Sequence, residues 1–320
     1  MQYNMVADAQ SAEAFLVSQL TYIEREVYVI RYPAIRYPFI VPVDTSANPW
    51  IPSITYFSMD GVGTAAWFNG RAQDVPKSDV VRSKFETTVK MAAIGYGYDL
   101  EEIAQAQMLG HNLNADKARY CRLAAEQFID QAALFGDSSV SFTGLLNNAT
   151  VTAGPAAATG VQNGAVASTL WANKTPDQIL ADVNGMLAGI FIATNTVEMA
   201  DTLLLPLAAW QYISTTRLNA LSETTILEWL RVNNGFTAET GVPLTMKPIR
   251  GLDTAGVGST ARVVAYWRDP SVVKMHIPMP FRFVGTPMQT RPLYFEIPGI
   301  FRIGGVDIRR PGAFRYLDGV

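Results

Sequence analysis

Residues 26–43 read Glu-Val-Tyr-Val-Ile-Arg-Tyr-Pro-Ala-Ile-Arg-Tyr-Pro-Phe-Ile-Val-Pro-Val, and no other stretch restricts the fold so tightly. Pro33, Pro38 and Pro42 each fix φ and remove a backbone donor. That rules against a helix and leaves edge pairing or an extended arm. A segment this apolar is poorly soluble if it hangs in water, so it is expected to lie on something, a neighbouring copy included. Before it, Ala12, Phe15, Leu16 and Leu20 share one face of an expected amphipathic helical piece within residues 1–20.

Two strands follow, about Ser53 to Met59 and Lys84 to Met91. In the second, Phe85, Thr87, Val89 and Met91 alternate with Lys84, Glu86, Thr88 and Lys90, the period-two pattern of a strand. The connection between them is rich in turn residues and mixed charge, and is far longer than the two to five residues, roughly, of a tight hairpin. It predicts a long two-stranded arm with a broad tip.

The best-defined helix begins at Asn114, a capping residue type, and stops at Gly136. Ala118, Cys121, Ala125, Phe128, Ala132 and Phe135 recur at helical spacing and predict its apolar stripe. Glu126 attracts Arg122 one turn before it and repels Asp130 one turn after, so side-chain charge pairing is not what holds this helix. At ~1.5 Å per residue it would run roughly 33 Å, long enough to serve as a spine.

Asn147 to Asn173 has the Ala, Gly, Thr and Asn content of a linker or surface loop. Thr175-Pro176 then restarts a helix, with Thr as cap and Pro at the first helical position. Its expected buried face is Ile179, Leu180, Val183, Met186, Leu187, Ile190 and Phe191. A buried strand at Thr202–Leu205, helices near 207–215 and 224–233, strands near 243–250 and 261–267, and a β-rich tail from Lys274 to Tyr316 complete an α+β chain. Segment 175–270 has the look of an insertion into a more extended scaffold.

Catalytic groups are scarce. His111 and His276 are the only histidines, and no carboxylates cluster at metal-ligand spacing. Cys121 stands alone, which excludes an intrachain disulfide and suits a reducing cytoplasm. It falls in the apolar stripe, where a thiol acts as a small hydrophobe. The pairs Gly61-Val62-Gly63, Gly95-Tyr96-Gly97 and Gly256-Val257-Gly258 do not extend into a nucleotide-binding loop, and turns explain them better. Net charge is −3 and no basic run exceeds Arg309-Arg310, which excludes a strong electrostatic stripe for nucleic acid. Charged residues make up only 17% of the chain, below the ~25% of ordinary soluble domains, so much of the surface is expected to face protein. The start lacks the basic segment and apolar core of a signal peptide, and no apolar stretch approaches the ~18 residues of a membrane span.

A proline-bearing arm, a long two-stranded arm, a spine helix ending in Gly-Asp, and a second domain followed by a returning β segment occur in that order. The order resembles the major capsid protein family of tailed bacteriophages, with the Hong Kong 97-type capsid fold shared with encapsulin shells. Lys117-Ala118-Arg119 through Asp130-Gln131-Ala132-Ala133-Leu134-Phe135-Gly136-Asp137, followed by Gly144-Leu145-Leu146-Asn147, is similar to the family's spine-helix end. Phe301-Arg302-Ile303-Gly304-Gly305-Val306-Asp307-Ile308-Arg309-Arg310-Pro311-Gly312-Ala313-Phe314 looks like its closing strand.

The resemblance covers nearly the whole chain and implies an α+β fold with residues 1–50 as N-terminal arm and 52–92 as E-loop. It makes 93–174 the spine helix and first part of the P-domain, 175–285 the A-domain and 286–320 the P-domain return strand. It implies a structural subunit, not an enzyme, that assembles through hexamers and pentamers into an icosahedral shell around double-stranded DNA. The DNA would be held without sequence-specific binding, since a container need not grip its contents. No cofactor or metal is implied. Partners would be further copies of the chain together with portal, scaffolding or decoration proteins, in the virion, after assembly in the host bacterial cytoplasm. Expected inter-subunit contacts are Trp67, Phe68, Arg71 and Lys77 at the E-loop tip and Tyr32, Tyr37 and Phe39 on the arm. The alternatives are an encapsulin-type nanocompartment with an enzyme cargo, or an unrecognised oligomeric enzyme.

Overall fold

The computed structural model describes residues 32–67, 77–99, 101–102, 113–285, 288–291 and 294–320. Ile35–Val320 form one compact unit and Met1–Ala34 another. The amphipathic piece expected within 1–20, and His111, lie outside the described residues.

The centre of the larger unit is a five-stranded sheet. Its strands, in spatial order, are Thr245–Pro248, Thr202–Leu205, Arg262–Tyr266, Phe314–Asp318 and Ala153–Pro155. Side chains alternate across a strand, and both faces are covered at Thr202–Leu205 and Arg262–Tyr266, which is why these two central segments are buried along their whole length. Leu203, Leu205, Val263 and Ala265 point into one core, shared with Ile179, Val183, Met186 and Ile190 of the helix Pro176–Ala193. Leu204, Val264, Tyr266, Phe314 and Tyr316 point into the other, shared with Ala125, Ile129 and Ala132 of the helix Leu113–Phe135. One sheet therefore separates two cores.

The segment expected to be an insertion does not close on itself. The strand Phe314–Asp318 lies between Arg262–Tyr266 and Ala153–Pro155, so the chain's last strand completes the sheet. Asn147–Asn173, expected to be loop, accordingly supplies an edge strand, and Trp171 near its end is 1% exposed.

A buried ion pair locks the last strand in place. Arg262 donates from Nε and Nη2 to both Asp318 oxygens at 2.6 and 2.9 Å, and from Nη1 to the Leu146 carbonyl at 2.8 Å. Its guanidinium lies 4.4 Å from the Tyr316 ring, and the Tyr316 hydroxyl donates to the Leu145 carbonyl at 2.6 Å. Both carboxylate oxygens and all three guanidinium nitrogens are engaged, two of them in a fork geometry, the condition under which a buried charge pair is tolerated. The Gly144–Asn147 stretch is thereby tied to the C-terminal strand.

Local signals hold well at the helix ends. Thr175 caps Pro176–Ala193 by accepting from the Gln178 N–H, and the Gln178 side chain returns the bond to the Thr175 N–H. Gly136 ends the spine helix at φ +72°, where an added Cβ would sit 2.3 Å from the Phe142 carbonyl oxygen. Glycine is required there by conformation and by space. The same helix begins at Leu113, so Asn114 lies inside its first turn and is not its cap.

Two expectations about buried faces are corrected. The helical stripe runs through Cys121, Ala125, Ile129, Ala132 and Ala133, whereas Phe128 is 45% exposed. Apolar residues occupy both adjacent positions, and the space available under the sheet selects Ile129; Phe128 instead meets the Phe301 ring edge-on at 5.7 Å. The strand expected to run through Met91 is broken: one strand spans Asp79–Thr88 and the next Lys90–Ala93. The break reverses the facing, so Val89 is buried and Met91 exposed.

Candidate assembly interface

Ser53–Val62 and Asp79–Thr88 pair antiparallel in unbroken register, from Ser53 opposite Thr88 to Val62 opposite Asp79. Opposed residues share a face, so one side of the ribbon carries Phe57 and Met59 beside Val80, Arg82 and Lys84. The other side carries Tyr56 stacked on Phe85 at 5.2 Å, with Val62 and Val81 further out. Both sides are open: Phe57 and Met59 are each 66% exposed, and Val62, Val80 and Val81 are exposed as well. A lone two-stranded ribbon is marginally stable in water, and one this apolar calls for a covering partner.

The root of the ribbon is firmly held. The Val89 N–H donates to the Pro52 carbonyl at 2.9 Å, and Arg302 Nη1 donates to the Pro49 carbonyl at 2.8 Å. Arg309 lies 4.5 Å from the Tyr56 ring and donates from Nε to Asp307 at 3.1 Å. Behind it His276, 3% exposed, has Nε2 3.4 Å from Arg309 and Nδ1 3.7 Å from Asp44. Burial pushes the imidazole below its ordinary value, and the Asp44 carboxylate opposes that shift. Hydrogen bonds from the Ser46 hydroxyl and N–H, with help from Lys274, hold the Asp44 carboxyl far below the usual range.

The second half of the expected arm is built into its own subunit. Tyr37–Ile40 form one helical turn with Pro38 in the first turn, a place where its missing N–H costs nothing. This corrects the extended conformation inferred from the prolines. The Arg36 and Tyr37 N–H groups both donate to Asp130 Oδ1 at 2.8 Å, while Arg250 donates to Oδ2 at 2.7 Å. A carboxylate thus sits at the start of the turn, where free N–H groups converge. Val43–Asp44 then pair in parallel with Met275–His276.

Of the expected contact residues, Trp67 is fully exposed, Phe39 is 77% exposed, and Tyr32 and Lys77 are exposed. Phe68 and Arg71 lie outside the described residues. Tyr37 is corrected: it is 8% exposed within its own subunit, and its hydroxyl donates to Glu126 at 2.9 Å. Burial, then that bond, raises the phenol above its ordinary value. Phe57 and Met59 were missed; their alternation on the first strand was the available signal. Asp130 was missed because Glu126 and Asp130 look like a repelling pair until their partners at residues 36 and 37 are brought alongside.

Among the described residues no group of three or more His, Cys, Asp or Glu could hold a metal ion, and no helix is long and apolar enough to cross a membrane. The sequence profile of the family described as Major capsid protein matches residues 63–320, most of the chain. The chain belongs to the major capsid protein family. No curated protein matches the sequence. Among solved structures, the capsid of Myoviridae Phage XM1 superposes with a TM-score of 0.78 at 18% identity, over 95% of this capsid protein and 98% of that chain. The capsid of an empty GTA particle gives 0.58 at 13% identity, over 95% and 97%. A virus-like particle from Pyrococcus furiosus gives 0.50 at 12%, over 88% and 91%. At such identities the likeness is one of fold, and the fold is the α+β Hong Kong 97-type capsid fold. Family and fold are those of a structural capsid subunit.

Proposed function

We propose that this capsid protein assembles through hexamers and pentamers into an icosahedral shell that encloses double-stranded DNA without sequence-specific contacts. The observation that carries this reading is the ribbon Ser53–Val62/Asp79–Thr88, apolar and open on both faces. Phe57, Met59, Val62, Val80 and Val81 are left open by the described parts of their own subunit, so a neighbour supplies the cover. Contacts between unlike patches repeat around a ring until the rotation closes, which produces hexamers and pentamers. Residues 52–92 act as the E-loop, 1–50 as the N-terminal arm, 93–174 as spine helix and P-domain, 175–285 as A-domain and 286–320 as the return. Trp67, Phe68, Arg71 and Lys77 lie at the lapping tip, with Tyr32 and Phe39 on the arm side. A net charge of −3 fits a container that confines DNA without gripping it. Portal, scaffolding or decoration proteins complete the particle in the virion, after assembly in the bacterial cytoplasm.

The test replaces residues 61–83 with an Asn-Gly turn. The subunit should keep its fold by circular dichroism, and electron microscopy should find no closed shells. Normal shells from this variant would refute the lapping ribbon. Nuclease-protected DNA in wild-type particles from infected cells checks the contents; particles filled with protein alone would refute a genome shell.

A further inference from the structure

Three strands, Met279–Phe283, Gly299–Ile303 and Lys90–Ala93, form a sheet that turns Phe301, Ile303 and Ala92 toward the core. Its other face is open and carries Met91 and Ile300 together with two cations, Arg282 and Arg302. Trp50 lies exposed beside this face, its ring 6.0 Å from the Arg282 guanidinium, while Arg302 donates to the Pro49 carbonyl at 2.8 Å. Among the described residues neither arginine forms an ion pair within 4.0 Å, in contrast to Arg262 and Arg309.

The two faces of the ribbon Ser53–Val62/Asp79–Thr88 differ in charge. The face with Phe57 and Met59 carries Arg82 and Lys84, whereas the face with Val62 and Val81 carries Asp60 and Asp79. Both of these carboxylates are exposed, and among the described residues neither forms an ion pair within 4.0 Å. Asp60 stands opposite Val81 and Asp79 opposite Val62, so the carboxylates occupy one diagonal and the valines the other. Diagonal neighbours on paired strands lie about 7–8 Å apart. On the sheet, Arg282 stands opposite Ile300, and Arg302 is two positions along the strand from Ile300. The two cations therefore also occupy a diagonal, with Ile300 at a corner between them. Like charges held together repel, and pairing one diagonal with the other removes that cost from both.

We infer that the acidic face of the ribbon docks on this open sheet face of a second copy of the chain. Asp60 and Asp79 meet Arg282 and Arg302, and Val62 and Val81 cover Met91 and Ile300. The inference rests on the reading of the chain as a shell subunit and adds which surface takes the ribbon. Charge decides which side of the ribbon faces the sheet. Arg82 and Lys84 would meet the two arginines with like charge, so the face with Phe57 and Met59 is left to a separate contact. The ribbon and the sheet face are unlike surfaces. Their contact is therefore heterologous and repeats around a ring instead of closing as a symmetric pair.

The test measures assembly of the full chain by light scattering against subunit concentration. Asp60→Arg with Asp79→Arg should raise the concentration needed for assembly about tenfold or more. Arg282→Glu, which leaves the Arg302 bond to Pro49 in place, should raise it about threefold in the wild-type chain. Added to the reversed ribbon, the same Arg282→Glu should lower it by about threefold, because the sheet then offers a carboxylate to the introduced arginines. All three positions are exposed, so urea unfolding of the unassembled chain should not move. The docking is overturned if reversing the ribbon leaves assembly unchanged, or if Arg282→Glu acts with the same sign in both backgrounds. Should replacement of residues 61–83 still prevent assembly in that case, the docking surface fails and the shell reading stands. A wild-type chain that does not associate overturns both.

Discussion

Replacing Phe57 and Met59 with serine separates the stability of the subunit from its association. Both side chains lie on one face of the ribbon and each is 66% exposed. A large side chain presents on the order of 200 Å², so roughly 130 Å² of each is open in the isolated subunit. If a neighbour covers half of that, each contact loses on the order of 130 Å² of apolar burial. At ~25 cal/mol per Å² this is about 3 kcal/mol per contact. A loss of ~3 kcal/mol weakens pairwise association by about a hundredfold. Subunit stability should barely change, since substitutions at exposed sites usually stay within ~0.5 kcal/mol. Light scattering and sedimentation measure assembly against subunit concentration, and urea unfolding of the unassembled chain measures stability. Shells that form at the wild-type concentration and resist dissociation equally well would show that this face is not buried, and the reasoning fails.

Asp318→Ala leaves the Arg262 guanidinium buried without its partner and should cost about 3–5 kcal/mol. At roughly 2–4 °C per kcal/mol for a large domain, calorimetry should find the melting point lower by about 6–20 °C; a shift under ~2 °C would refute the locking role of the pair. His276 has a folded pKa below its ordinary 6.5, so the unfolded chain binds more protons between the two values. The stability tied to its neutral form is therefore full above pH 6.5 and is lost as pH falls from there toward the folded value. His276→Gln should flatten that fall, read as the urea midpoint at about pH 7.5 and 5. The Asp44 carboxyl stays charged through this window, so an unchanged slope in the variant would exclude His276 as its cause.

Signals confined to a few neighbouring residues were legible without the structure. The Thr175-Pro176 cap, the stop at Gly136 and the buried run Thr202–Leu205 depend on backbone geometry and burial within one element, and each is found where its pattern lies. The same holds for the long paired ribbon, because a long polar connection between two strand patterns leaves little choice. Choices among nearly equivalent local options needed the folded chain. Phe128 and Ile129 are both apolar, and only the space beneath the sheet puts Ile129 inside. The three prolines read as forbidding a helix, yet the Asp130 carboxylate, over 90 residues away in the chain, holds a helical turn at Tyr37–Ile40. Arg262 and Asp318 lie 56 residues apart, and the Leu146 carbonyl that Arg262 also reaches is 116 residues away. Propensity and periodicity act over one or two turns, whereas these contacts exist only once the five-stranded sheet has closed, and so tertiary structure alone decides them.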